Sequence, residues 1–123
     1  MSNILIVDDD KDLLEMVSIV LVRNGYKVTS ITSGATVPTK MEELHPDLVL
    51  MDIYLGDSDG RVLCKQLKSS KEFGLVPIIL YSAGYIANSS IRDSMADDFL
   101  VKPFDIKQLL AKISTALKDV SSN

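Results

Sequence analysis

Two rhythms of apolar residues alternate along the chain. One is the short, unbroken run: NILIV at 3–7, DLVLM at 47–51, VPIILY at 76–81 and FLV at 99–101, together with the β-rich KVTSI at 27–31. The other is a stripe of helical period. Residues 13, 16, 17, 20 and 21 form such a stripe within 13–25, which Asn24-Gly25 stops. Residues 37–45 predict a short helix in which Pro38 is tolerable only near the start. Residues 60–68 predict a third helix. Residues 88–96 predict a weak fourth one, rich in Ser and anchored mainly by Ile91 and Met95. The clearest amphipathic helix spans 105–120, with apolar residues at 106, 109, 110, 113, 117 and 120; the polar tail DVSSN at 119–123 is expected to fray.

The order is strand–helix repeated five times. Continuous apolar strands imply burial on both faces, hence an α/β fold: one doubly wound, five-stranded parallel sheet with helices on each side and right-handed crossovers. Ligands of such sheets gather at the carboxyl ends of the strands. Four strand ends carry polar groups here. The first runs into Asp8, Asp9 and Asp10, the third into Asp52, the fourth into Ser82 and the fifth into Lys102-Pro103.

Each group has an ordinary reading: Asp10 as a helix N-cap, Asp52 as a loop carboxylate, Ser82 as a turn former, Lys102 as a solvated lysine. Their joint placement on one sheet edge favours a site. Packed carboxylates raise one another's pKa unless a cation joins them. Hard oxygen donors suit Mg2+. Metal, lysine and hydroxyl are the groups needed to hold a phosphoryl group on a carboxylate.

Composition narrows the rest. The 123 residues fit one domain; the net charge of -4 and pI of about 4.8 argue against a nucleic-acid partner. No apolar run is long enough for a membrane span and no signal peptide is visible. The single cysteine, Cys64, reads as core and, with no disulfide partner, points to a reducing, cytoplasmic compartment. His45, the only histidine, is expected in a loop facing solvent; Tyr81 and Tyr85 read as core or rim packing.

VDD at 7–9, LVLMD at 48–52, YSA at 81–83 and VKPF at 101–104 come in order, 43, 30 and 20 residues apart from Asp9 to Asp52 to Ser82 to Lys102. On these landmarks the chain resembles the receiver domain of two-component response regulators (chemotaxis-regulator-like) over about residues 3–119, a single receiver domain within 1–123. The resemblance implies a flavodoxin-like strand order 2-1-3-4-5 and a phosphoacceptor, Asp52. It implies Mg2+ held by Asp8, Asp9 and Asp52 with the backbone carbonyl of Tyr54, Asp9 being the more direct ligand. Ser82 and Lys102 would hold phosphoryl oxygens, the Lys102-Pro103 bond would be cis, and Ser82 and Phe99 would switch. The implied donor is a sensor histidine kinase or phosphotransfer protein. The implied output is an altered face of the fourth helix, fifth strand and fifth helix, presented to an unidentified protein target. Such a module is a signalling phosphoacceptor that catalyses only its own phosphorylation and dephosphorylation.

Departures from the family pattern are Gly56 in place of the usual Pro, giving a more mobile loop, Phe99 in place of Tyr, a second helix shortened at Pro38, and a segment from Ser82 to Lys102 about two residues short. A Mg2+-dependent phosphohydrolase with an aspartyl nucleophile is the alternative. It calls for an acid two residues after the nucleophile, where Tyr54 stands. A flavodoxin-type flavin carrier fits less well, because DDDKD would repel a phosphate. The start MSN reads as natural, and the chain is expected to be either a stand-alone regulator or a receiver cut from a longer protein.

Overall fold

The computed structural model describes residues 1–121, with side chains up to residue 118. The strands are β1 (Asn3–Val7), β2 (Lys27–Ile31), β3 (Leu48–Asp52), β4 (Ile78–Ser82) and β5 (Asp98–Val101). The helices are α1 (Lys11–Arg23), α2 (Val37–Leu44), α3 (Gly60–Lys68), α4 (Asn88–Asp93) and α5 (Ile106–Ser121). All pairings are parallel, in the order β2-β1-β3-β4-β5. The doubly wound fold expected from the alternation is therefore present, in the flavodoxin-like order.

Side-chain alternation divides each strand between two cores. Ile4 and Ile6 of β1, with Leu48 and Leu50 of β3, pack against Leu14, Val17 and Leu21 of α1 and Leu109 and Ile113 of α5. Leu5 and Val7, with Val49 and Met51, pack against Val37 and Met41 of α2 and Cys64 and Leu67 of α3. β3 lies at the centre and every one of its residues is buried. Each aliphatic side chain buried this way contributes roughly 1.5–3 kcal/mol, which is why the central strands read as unbroken apolar runs.

Local chemistry sets the ends of the elements. Helix α1 starts at Lys11, two residues before the stripe, because Asp10 caps it: its carboxylate accepts from the N–H groups of Asp12 and Leu13. The ordinary reading of Asp10 is thus the correct one. Strand β4 begins at Ile78 and not at Val76, since Pro77 has no N–H for the ladder, although its carbonyl still accepts from Val49. Pro38 lies at the start of α2, after a 3-10 turn over Gly34–Thr36, and His45 caps that helix in the left-handed region, exposed as expected. Asp105 lies before α5, where its carboxylate accepts from the Lys107 N–H. Residues 119–121 of the tail are helical, whereas the side chain of Val120 and residues 122–123 lie outside the described residues.

Helix α4 departs most from its expected span. It ends at Asp93 because Met95 takes a φ of 66°, a conformation that costs an L-residue energy and cannot continue a helix. Met95 is not an anchor: it is 45% exposed, and no residue of α4 is buried. The helix lacks a side-chain N-cap, as Ala87 occupies that position.

Candidate functional site

The row of side chains facing α1 and α5 extends beyond the apolar part of the strands. Alternation carries Ile4 and Ile6 on to Asp8, Leu48 and Leu50 to Asp52, Ile79 to Tyr81, and Leu100 to Lys102. These four residues meet at the carboxyl edge of the sheet. Lys102 Nζ lies 3.1 Å from Asp8 Oδ2 and 3.0 Å from Asp52 Oδ2. Asp8 is fully buried and Asp52 is 6% exposed. The lysine is thus the cation that makes two sequestered carboxylates tolerable. The Lys102-Pro103 bond is cis, as expected.

Opposing influences act on these groups. Burial pushes the Asp52 carboxyl above the ordinary range, and the charge of Asp8 adds to the rise, while the hydrogen bonds from Lys102 and the Tyr54 N–H pull it back. Burial also works against the Lys102 ammonium, but its hydrogen bonds to Asp52 and Asp8 outweigh that, and its pKa is raised.

Asp8, Asp9 and Asp52 each offer a carboxylate oxygen, all within 4.8 Å of one another. The set is made of hard oxygen donors. Asp8 and Asp52 are buried and Asp9 is exposed, so it fits Mg2+, which keeps several of its waters. The next turn closes over this cluster. Gly56 adopts a φ of +75°, and a Cβ there would stand 3.3 Å from Asp9 Oδ2. Gly60, at the start of α3, lets the Asp52 carbonyl pack directly against its Cα, where any Cβ would collide. Asp57 ties this turn to the loop before α2, accepting from Ser33 Oγ at 2.6 Å and the Gly34 N–H at 3.0 Å.

The other expected residues lie around this centre. Tyr54 donates its N–H to Asp52 Oδ1 at 3.2 Å, while its ring is 56% exposed and faces the Arg61 guanidinium at 5.7 Å. Ser82 is buried at the end of β4, and its hydroxyl accepts from the Gly84 N–H at 3.3 Å. Phe99 belongs to the opposite row and packs, partly buried, against the α2/α3 core. Cys64 is core, and burial pushes its thiol up to about 12.

Two residues of the site were missed by sequence reasoning. Tyr81, taken as packing, donates its hydroxyl to Asp8 Oδ2 at 2.9 Å. The available signal was a hydroxyl-bearing ring that ends an aliphatic run just before Ser82; the structure sets it opposite Asp52. Arg61 carried no signal. It chelates Asp59 through Nε and Nη2 at 3.0 and 2.6 Å and donates from Nη1 to Ser90 of α4 at 3.1 Å, so it links the turn after β3 to α4.

A family model described as the response regulator receiver domain matches residues 4–114. The chain belongs to this family. The DNA-binding dual master transcriptional regulator RpaA of Synechocystis is 34% identical over 120 residues, covering 96% of the chain and 50% of that protein. The DNA-binding response regulator MtrA of Mycobacterium tuberculosis is 37% identical over 117 residues, covering 94% and 50%. The solved structure of a two-component response regulator from Clostridium difficile superposes on the receiver with a TM-score of 0.87 at 28% identity, covering 96% of the chain and 97% of that structure. The chain therefore spans about half the length of the curated relatives it matches.

These relatives correct one expectation. The acidic composition was read as excluding a nucleic-acid partner, yet RpaA and MtrA are DNA-binding regulators. The charge of a receiver-length segment carries no information about what a full-length regulator binds, because the DNA-binding function need not reside on the receiver surface. Among the described residues no helix is long and apolar enough to cross a membrane.

Proposed function

We propose that this receiver is a cytoplasmic phosphoacceptor that takes a phosphoryl group from a histidine of a sensor kinase or phosphotransfer protein onto Asp52, with Mg2+ bound. The observation that carries this reading is the single lysine bridging Asp8 and Asp52, with Asp9 within reach of the same point in space. Asp8, Asp9 and Asp52, with the Tyr54 carbonyl, are the residues that would hold the metal. When bound, Mg2+ supplies positive charge to the phosphoryl oxygens.

The chain's own groups do the remaining work. An Asp52 carboxylate oxygen attacks phosphorus, and the bond to the donor imidazole nitrogen breaks with its electron pair returning to the ring. Lys102, already 3.0 Å from Asp52, stabilises the charge on a phosphoryl oxygen without having to move far. Gly60 and the Tyr54 N–H fix the Asp52 backbone and carboxylate beforehand, so less ordering is required at the moment of reaction. Ser82 is the group that then turns to a phosphoryl oxygen. Phe99 repacks in response, and the face of α4, β5 and α5 changes for a protein target. Two facts support that readout: α4 buries none of its residues, and Arg61 ties it to the turn beside Asp52. The phosphohydrolase alternative is not favoured, since Tyr54 offers no carboxylate to protonate a leaving group.

Phosphoramidate, a donor with a phosphorus–nitrogen bond, tests the reading. With Mg2+ the wild-type chain should gain one phosphoryl group by intact mass, labile to hydroxylamine as an acyl phosphate is, and no group when EDTA is present. A hydroxylamine-resistant adduct, or equal loading in EDTA, would sink the proposal.

A further inference from the structure

Tyr81 lies beneath the site with no part in the transfer just described. Its side chain is 1% exposed and it stands opposite Asp52 in the β3–β4 register. An aliphatic residue would fill this core position, as Ile79 does two residues earlier. A buried hydroxyl costs free energy unless it is bonded; the Val7 carbonyl lies 3.4 Å from this one, and a carboxylate oxygen lies closer. It donates to Asp8 Oδ2 at 2.9 Å, the same oxygen that Lys102 Nζ reaches at 3.1 Å. The ring also lies below the ammonium, 5.2 Å from Lys102 Nζ, within the range of a cation–π contact. Phe104 packs its ring edge-on at 4.9 Å and holds the tyrosine in this pose.

Resting on the phosphoacceptor reading, we propose that Tyr81 is a positioning residue of the phosphorylation site, fixing Asp8 and Lys102 relative to each other. A carboxylate has about four acceptor positions. On Asp8, two donors fill Oδ2, and the Asp10 N–H takes one position on Oδ1 at 2.9 Å. The acceptor capacity left for a cation is therefore on Oδ1, and the hydroxyl prevents the carboxylate from rotating to offer Oδ2. Residues that orient a metal ligand in this way typically matter 10–100-fold for metal affinity or activity.

Tyr81→Phe tests this, since it keeps the ring beneath Lys102 and removes only the hydroxyl. Mg2+ is titrated into wild type and variant without phosphodonor, following the backbone amide shifts of residues 8–10 and 52–54. The Mg2+ midpoint should rise about tenfold in the variant, with the shifts of α2, on the opposite face of the sheet, unchanged. The double variant Asp8→Asn/Tyr81→Phe should have the midpoint of Asp8→Asn alone, because Tyr81 acts through Asp8. An unchanged midpoint in Tyr81→Phe, together with normal phosphorylation, overturns the inference and leaves the phosphoacceptor reading standing. A double variant weaker than Asp8→Asn overturns it by showing that Tyr81 acts apart from Asp8, and a Tyr81→Phe chain that no longer folds overturns it by showing that the hydroxyl serves the fold and not the metal ligand. A wild type that responds to neither Mg2+ nor phosphodonor overturns both.

Discussion

Replacing Lys102 by methionine, which keeps most of the length and removes the charge, perturbs the centre of the site. In the native arrangement one ammonium lies 3.1 Å from a fully buried carboxylate and 3.0 Å from another that is 6% exposed. The lysine side chain is itself only 17% exposed, so solvent screens the pair weakly. Removing one partner of a buried ion pair costs roughly 3–5 kcal/mol, since a charge is left sequestered and uncompensated. For a chain of this length that corresponds to a fall of about 10–20 °C in melting temperature.

The pH dependence follows from the direction of the shift. Burial, more than any other influence, holds the Asp52 carboxyl above its unfolded value. Its contribution to stability is therefore present below the unfolded pKa and lost as pH rises through the folded one. Without Lys102 the folded value rises further, so the variant's deficit is greatest at neutral pH and shrinks as acid protonates the carboxylates. Urea denaturation at a series of pH values without divalent ions measures it. A loss under about 1 kcal/mol at neutral pH, or a deficit that does not shrink in acid, would refute this account of the cluster.

Three further outcomes are expected. Mg2+ should raise the melting temperature of wild type, because it binds the native state preferentially, and Asp9→Ala should abolish that rise while stabilising the metal-free protein; equal shifts in both would show the site is misassigned. Tyr54→Asn should shorten the lifetime of the phosphorylated form about tenfold, the effect of ~1.4 kcal/mol at the transition state, as read by loss of label in excess Mg2+. Tyr54 stands two residues past Asp52 with its side chain exposed, and a Cβ on Gly84 would meet nothing, so equal or slower decay would show that this open side governs hydrolysis. Hydrogen exchange over residues 83–98 should change on phosphorylation, since α4 has no buried residue to hold it; a change confined to 52–60 would count against the switch.

The fold was legible because the central strands are buried on both faces, which leaves an unambiguous apolar run at β1, β3 and β4. Asp8, Asp52 and Lys102 were legible for a related reason: each prolongs the alternation of an apolar strand with a charged residue where the core ends. Helix α4 was not legible at its C-terminus, because Met95 takes a left-handed backbone conformation that no residue-type preference signals. Its apparent anchor turned out to face solvent. Tyr81 was hidden by its own chemistry, since its ring reads as core and only the tertiary pairing of β1 with β3 and β4 brings Asp8 to its hydroxyl. Arg61 acts across elements distant in sequence, joining Asp59 to Ser90, and helical period alone cannot reveal such a link.

Asp52 is the proposed acceptor of the phosphoryl group. Borohydride reduction of the chain after loading from acetyl phosphate with Mg2+, followed by peptide mapping, tests this most directly, because reduction converts an aspartyl phosphate into homoserine at the modified position. Homoserine is expected at position 52 in wild type, with no loading of Asp52→Asn. Homoserine at position 8 or 9, or an Asp52→Asn chain loaded as fully as wild type, would contradict it.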